Sequence, residues 1–318
     1  MSMGGWDLVS LVDVALINER LREAAGDVVQ RFQYKEENLR IRGVFGPWQI
    51  VPGGSRQKLH VDLPLKSGEL RLHPGMQTRY PLKGLVLRVE LALRIIEPTQ
   101  EAGPRNLMFN LDRTGLMGAE QPVTVVELFD PEGRIPEDDK RILSISLAAC
   151  LKKHQDKIKF VFASVTSTAG LSMPNLDWAY LETGGAGQYL AIAGALDPMP
   201  ADLEADSIGD GLILPDMQGA LGLSGRTLCQ KVIAPSMNQT FKPQNSFVGQ
   251  GSGVRLLRPV RLAPQKIDGY VLQPVLHKLE MKRIETGFDV SVHAITAIKG
   301  DTIRLETCLL YTSDAADD

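Results

Sequence analysis

Ser55 and Lys58, in the stretch SRQK, stand three apart, the spacing at which a lysine can draw the proton from a nucleophilic serine. That chemistry needs the serine at the start of a helix. Here the pair follows a Pro-Gly-Gly turn and leads into KLHVDLPL, which alternates like a strand, so a chance match is the expectation. The histidines, His60, His73, His154, His277 and His293, are scattered through expected strands and turns, none four residues from another and none expected near a cysteine, and no zinc site is expected. GQGSG, Gly249 to Gly253, lacks the lysine and the following helix of a phosphate loop and reads as a connector. No catalytic constellation stands out; the expectation is a protein that is not an enzyme and uses no cofactor or metal.

One basic set is better suited to binding. VRLLRPVRL places Arg255, Arg258 and Arg261 three apart, where they could meet lipid phosphates through charge-assisted hydrogen bonds; a solvated edge is the plainer reading. The other basic run, LKKHQDKIK, is explained by the end of a helix.

These residues depend on elements with clear periods. Leu8 to Ile17 is apolar except at Ser10 and Asp13, and the expectation is a helix buried on most sides, N-capped by Asp7, stapled by Trp6 onto Leu11 and closed by Gly26. It is no signal peptide, because no basic residue precedes it and Asp13 cuts it, and no transmembrane segment, which needs about 20 apolar residues. In GLVLRVELALRII, Leu85, Leu87, Val89, Leu91, Leu93 and Ile95 share one face, while Val86, Arg88, Glu90, Ala92 and Arg94 share the other. That pattern predicts a long antiparallel strand with one solvated side. Pro136 to His154 reads as a second helix, with acids in its first turn and bases in its last. SGRTLCQKVIAPSMNQTF reads as a third, capped by Ser224 and kinked by Pro235.

Prolines, acids and glycines cluster in DPMPADLEADSIGDG, Asp197 to Gly211, which places a boundary near residue 200. The expected organisation is a first half over 1–200 with the N-terminal helix, a second over 201–307 made of a helix plus strands and incomplete, and a non-native tail over 308–318. CLLYTSDAADD resembles a translated sequencing adaptor; an ordinary acidic tail is the alternative. Without its three acids, Asp314, Asp317 and Asp318, acids and bases balance at 35 each. A net charge near zero argues against nucleic acid as the partner. Cys150 and Cys229 form no disulfide framework. The chain is expected in the cytoplasm, with export by another route left open.

GWDLVSLVDVALINERL, GPWQIVPGGSRQKLHVDLPLKSGEL, KIKFVFASV and LSGRTLCQKVIAPSM together resemble one bacterial family. It is that of the OrfX and forty-seven-kilodalton non-toxic components encoded in clostridial neurotoxin gene clusters. That family looks like part of the tubular lipid-binding (TULIP) superfamily. The resemblance implies an α+β fold in which a long, strongly curved antiparallel sheet wraps around long helices. It also implies a lipid or other apolar small molecule held between helix and sheet. Periodicity nominates Val9, Val12, Leu16, Leu87, Val89, Leu91, Val232 and Met237 to line such a groove, with Arg255, Arg258 and Arg261 at the headgroup. The alternative is an accessory protein, structural or chaperone-like, whose partners are other proteins of a toxin or secretion locus.

Overall fold

The computed structural model describes residues 3–36, 39–55, 57–72, 79–98, 103–112, 121–166, 173–183, 187–196, 208, 218–241, 246–267, 270–284, 287–298 and 305–311. It comprises two compact units, Met1–Gly4 with Val9–Leu221, and Gly5–Leu8 with Gly222–Asp318.

The strands that lie wholly or mostly in the first unit are, in chain order, β1 (Leu8–Asp13), β2 (Arg31–Glu36), β3 (Leu39–Phe45), β4 (Gln49–Ser55), β5 (Lys58–Leu72), β6 (Arg79–Pro81), β7 (Val86–Ile96), β8 (Arg105–Asn110), β9 (Val123–Phe129), β10 (Val161–Val165), β11 (Asn175–Thr183), β12 (Gly187–Ala195) and β13 (Gly219–Leu223). Its helices are α1 (Val14–Glu23) and α2 (Glu137–Lys153). A strongly curved antiparallel sheet runs β10-β8-β7-β5-β3-β2, with β4 and β6 also on β5 and β9 also on β7; a smaller sheet runs β11-β12-β1-β13.

The curvature has a cause in the sequence. The fifteen residues of β5 pair with β7 along Lys58–Pro64 and with β3 further on, so the strand serves both ends of the sheet. Where it passes to β3, Gly68 faces Gly43 in register, next to a bulge between Val44 and Phe45. Gly68 has φ +148°, and a Cβ there would stand 2.5 Å from the Arg42 carbonyl oxygen; one on Gly43 would stand 2.6 Å from that of Ser67. Two facing glycines let the backbones close where side chains would hold them apart.

β7 fulfils its alternation. Leu85, Leu87, Val89 and Leu91 are fully enclosed, in one core with Val14, Ile17 and Leu21 of α1 and Leu143, Leu147 and Leu151 of α2. Burying each such side chain stabilises the fold by about 1.5–3 kcal/mol. On the opposite face Arg88 makes a bidentate pair with Asp62 at 2.6 and 2.9 Å, and Lys58 reaches Glu90 at 3.1 Å.

The first helix is where the expectation needs correcting. Leu8–Asp13 is a strand, with Val9 and Leu11 buried on one face. The apolar run here marks a strand flanked by β12 and β13, buried on one face and half-buried on the other, not an enclosed helix. The cap is Asp13, whose carboxylate accepts from the Ala15 N–H at 2.7 Å. α1 is thereby ten residues, about 15 Å long, and the long helices expected inside the sheet are not seen among the described residues.

In the second unit, α3 (Gly225–Thr227) runs into a π-helical stretch (Leu228–Ile233) and then α4 (Ala234–Phe241). Ser224 caps the start as expected, its Oγ accepting from Thr227 N–H at 3.1 Å. Pro235 lacks the N–H that an α-helix would offer to Lys231, and the widened turns directly precede it, with Ala234 N–H bonded to Cys229 five residues back. The strands are β14 (Phe247–Gln250), β15 (Gly253–Leu256), β16 (Val260–Arg261), β17 (Gln265–Ile267), β18 (Tyr270–Ile284), β19 (Gly287–Ile298) and β20 (Leu305–Tyr311). They form an antiparallel sheet ordered β14-β15-β18-β19-β20, with β16 and β17 on β18. Cys229, Ala234, Phe247, Val254, Leu256 and Leu279 build its core.

Candidate functional site

The residues with catalytic spacing do not assemble. Ser55 and Lys58 face each other across the β4–β5 hairpin, and the Lys58 ammonium is held by Glu90 rather than by Ser55. GQGSG is the hairpin between β14 and β15, turning at Gly251 with φ +55°. The expectation that no histidine lies near a cysteine needs correcting: Cys150 and His154 are four apart at the end of α2, with Sγ 3.6 Å from Nδ1, because one helical turn stacks residues at that spacing. Burial pushes the Cys150 thiol up to about 11, the reverse of what a thiolate nucleophile needs. Among the described residues no group of three His, Cys, Asp or Glu could hold a metal ion.

The eight residues nominated for a groove fall into two sets. Leu87, Val89 and Leu91 are enclosed in the first core, and Val12 packs against it half-buried. Val9 is buried on β1 and Leu16 half-buried on α1. An apolar crevice beside that core, between Leu107, Trp178 and Ile192, has only about 10 Å³, close to the volume needed for one water. Val232 and Met237 belong to the second unit, where Met237 packs on the core and Val232 is exposed. The inward face of β7 is thus filled by protein side chains.

The three arginines lie on the second unit's outer surface. Register places Arg255 opposite Glu280 and Arg261 opposite Val275, on the face away from the buried Val254, Val260 and Leu276. Alternation along β18 adds Lys278 and Lys282 to that face. Lys278 lies 3.2 Å from Glu280 and Arg255 3.8 Å from it. The hydrogen bond from Lys278, with Arg255 and Lys282 close by, holds the Glu280 carboxyl below the usual range. One embedded acid therefore sits among three cations.

Between β15 and β16 the chain presents Leu257, 60% exposed, next to Arg258. The connection is pinned: Leu257 N–H donates to the Ser246 carbonyl at 2.7 Å, and Arg258 Nε donates to Ser246 Oγ at 3.1 Å, with Ser246 itself buried. An exposed leucine held in place by hydrogen bonds and flanked by arginines is an amphipathic contact point. The arginine spacing was legible in the sequence. The exposure of Leu257 was not, since its neighbours Leu256 and Val260 are core residues.

The description "OrfX-like: Protein OrfX2/OrfX3/P47" matches residues 3–307, and the chain belongs to that family. Over 178 residues the chain is 24% identical to Protein P47 of Clostridium botulinum (strain Kyoto / Type A2). That alignment takes in 55% of this chain and 41% of P47, so the chain matches less than half of the relative's length. The solved structure of P47 from Clostridium botulinum A2 shares the fold at a TM-score of 0.78 and 15% identity, covering 99% of this chain and 83% of that one. P47 of Clostridium botulinum E1 gives 0.77 at 15% identity, covering 96% and 75%. Among the described residues no helix is long and apolar enough to cross a membrane.

Proposed function

We propose that the chain is a non-enzymatic lipid-binding protein, an accessory component of a toxin or secretion locus, that meets an anionic lipid surface through the outer face of its second unit. The observation that carries this reading is Leu257, exposed and pinned to Ser246, beside Arg255, Arg258 and Arg261. An apolar side chain enters the acyl boundary while guanidinium groups take the phosphates, each basic residue contributing about 1 kcal/mol near an anionic surface. The reading differs from the sequence expectation in where the lipid sits. Leu87, Val89 and Leu91 lie among protein neighbours in the first core, which favours a surface contact over an enclosed ligand. Membership of the OrfX-like family supports the toxin-locus context.

Cosedimentation with phosphatidylcholine vesicles, with and without one-fifth phosphatidylserine, tests it. Binding is expected only with the anionic lipid, weakened about fivefold by each arginine-to-alanine change at Arg255, Arg258 or Arg261 and abolished by Leu257→Asp. Equal binding of the Leu257→Asp variant would overturn the proposal. So would a stoichiometric lipid extracted from the purified chain, with no binding to vesicles, since that would mark an enclosed cargo.

A further inference from the structure

A second candidate surface lies in the first unit, between β9 and α2. A cleft of about 670 Å³ is lined on one side by residues 125–131 and on the other by Glu137, Lys140, Arg141, Ser144 and Ile145. Lining by consecutive strand residues means that the edge of β9, backbone included, faces the cleft, because alternate side chains alone would line a sheet face. The helix residues recur at three- and four-residue intervals and so form one stripe of α2.

β9 pairs with β7 along Val86–Leu91, and among the described residues no strand pairs with its other edge. Such an edge offers a row of N–H donors and C=O acceptors spaced for another extended chain. Its register also contains a bulge. Pairing passes from Arg88–Glu127 to Val89–Val125, leaving Val126 as the extra residue, and Val126 is 44% exposed. Bulges re-aim side chains and commonly sit at sheet edges and binding sites. Across the cleft Ile145 is 64% exposed, an unusual state for isoleucine in the middle of a helix.

Charge narrows the choice of occupant. Lys140 is taken by Glu137 at 2.7 Å, whereas Arg141 is exposed and makes no ion pair among the described residues. An acyl chain would leave the strand edge and Arg141 unsatisfied. A nucleic acid would meet the carboxylates of Glu127, Asp130 and Glu137. An extended peptide satisfies the edge by hydrogen bonding, the two exposed apolar residues by alternate side chains, and Arg141 by a carboxylate.

We infer that this cleft binds an extended segment of another protein, which adds to β9 as a further strand, packs apolar side chains on Val126 and Ile145, and places an acidic side chain on Arg141. About six residues match the length of the edge.

The test is selection from a displayed library of random heptapeptides on the full chain, counter-selected on the Ile145→Asp variant. Both substituted positions are exposed, and circular dichroism checks that each variant is folded. Enriched peptides are expected to alternate apolar residues and to carry Asp or Glu. As synthetic peptides they should lose at least about tenfold in affinity on Arg141→Glu, and a Lys-for-Glu exchange in the peptide should restore it. Hydrogen–deuterium exchange should show protection of the amides of 125–129 on binding, which side-chain docking without strand addition would not give. Three results would overturn the inference: no enrichment, enrichment that survives Ile145→Asp, or self-association of the chain that this substitution abolishes, which would make a second copy the occupant.

Discussion

The side-chain amide of Asn238 bonds both backbone groups of Phe247, donating to its carbonyl at 2.7 Å and accepting from its N–H at 2.9 Å. In the first unit Asn18 does the same to Ile50, at 2.9 and 2.7 Å. Each unit thus fixes a helix to a strand by letting an asparagine imitate the neighbouring strand. Only an amide supplies a donor and an acceptor at this spacing. Replacing either asparagine with alanine leaves a backbone pair unsatisfied near a buried residue and is expected to cost about 2–3 kcal/mol, read as a fall in urea midpoint at unchanged slope. A loss below half a kcal/mol would mean that water replaces the amide without cost.

The facing glycines of the curved sheet make a steric prediction. Gly68→Ala has to accommodate both φ +148° and a contact of 2.5 Å with Arg42 O, whereas Gly84→Ala faces φ +90° with nothing nearer than the Arg134 guanidinium at 3.5 Å. The Gly84 change is expected to cost about 1 kcal/mol and the Gly68 change more than about 3 kcal/mol. Equal costs in thermal unfolding would show that conformation alone, and not the close approach of β3 and β5, requires Gly68.

Stability at high pH is expected to depend on Cys150. Burial raises its thiol from 9.0 to about 11, so the folded state favours the protonated form. Its contribution is complete below about pH 9, declines as the unfolded thiol ionises, and is lost as the pH passes through about 11. The total is on the order of 2 kcal/mol. Tyr180, raised by burial and by the carboxylate of Glu182, extends the decline to still higher pH. Urea midpoints at pH 8, 9.5 and 10.5 should fall for the natural chain and fall less steeply for Cys150→Ala, which starts lower because of its cavity. Parallel curves would contradict the assignment.

What was legible in the sequence follows from how local the physics is. The alternation of β7 and the ends of α2 are set by residues close in sequence, and both were found. Arg255, Arg258 and Arg261 were visible as a set because three-residue spacing is also local. The Leu8–Asp13 strand was misjudged because an apolar run that occupies both a buried and a half-buried face has no distinctive period, and only pairing with β12 and β13 decides the matter. The β9–α2 cleft escaped for a different reason: Val126 and Ile145 look like ordinary core residues until packing leaves them exposed.

Asp7 was expected to cap the first helix, and its position shows how a correct residue type can serve a distant element. Its carboxylate is buried in the second unit, where it accepts from Thr227 Oγ1 at 2.8 Å and Ser224 Oγ at 3.1 Å and pairs with Arg226 at 3.1 Å. These three donors belong to the start of the third helix, more than two hundred residues along the chain. Asp7→Ala should cost about 3 kcal/mol, because the Thr227 hydroxyl, itself buried, loses its acceptor along with the ion pair. Asp7→Asn keeps an acceptor for the hydroxyls and gives up only the charge, and Arg226, about half-exposed, turns to water; its cost should be nearer 1 kcal/mol. The order of the two variants in thermal unfolding is the decisive reading. If Asn is as damaging as Ala, the ion pair and not the hydroxyl network holds the N-terminal segment to this helix.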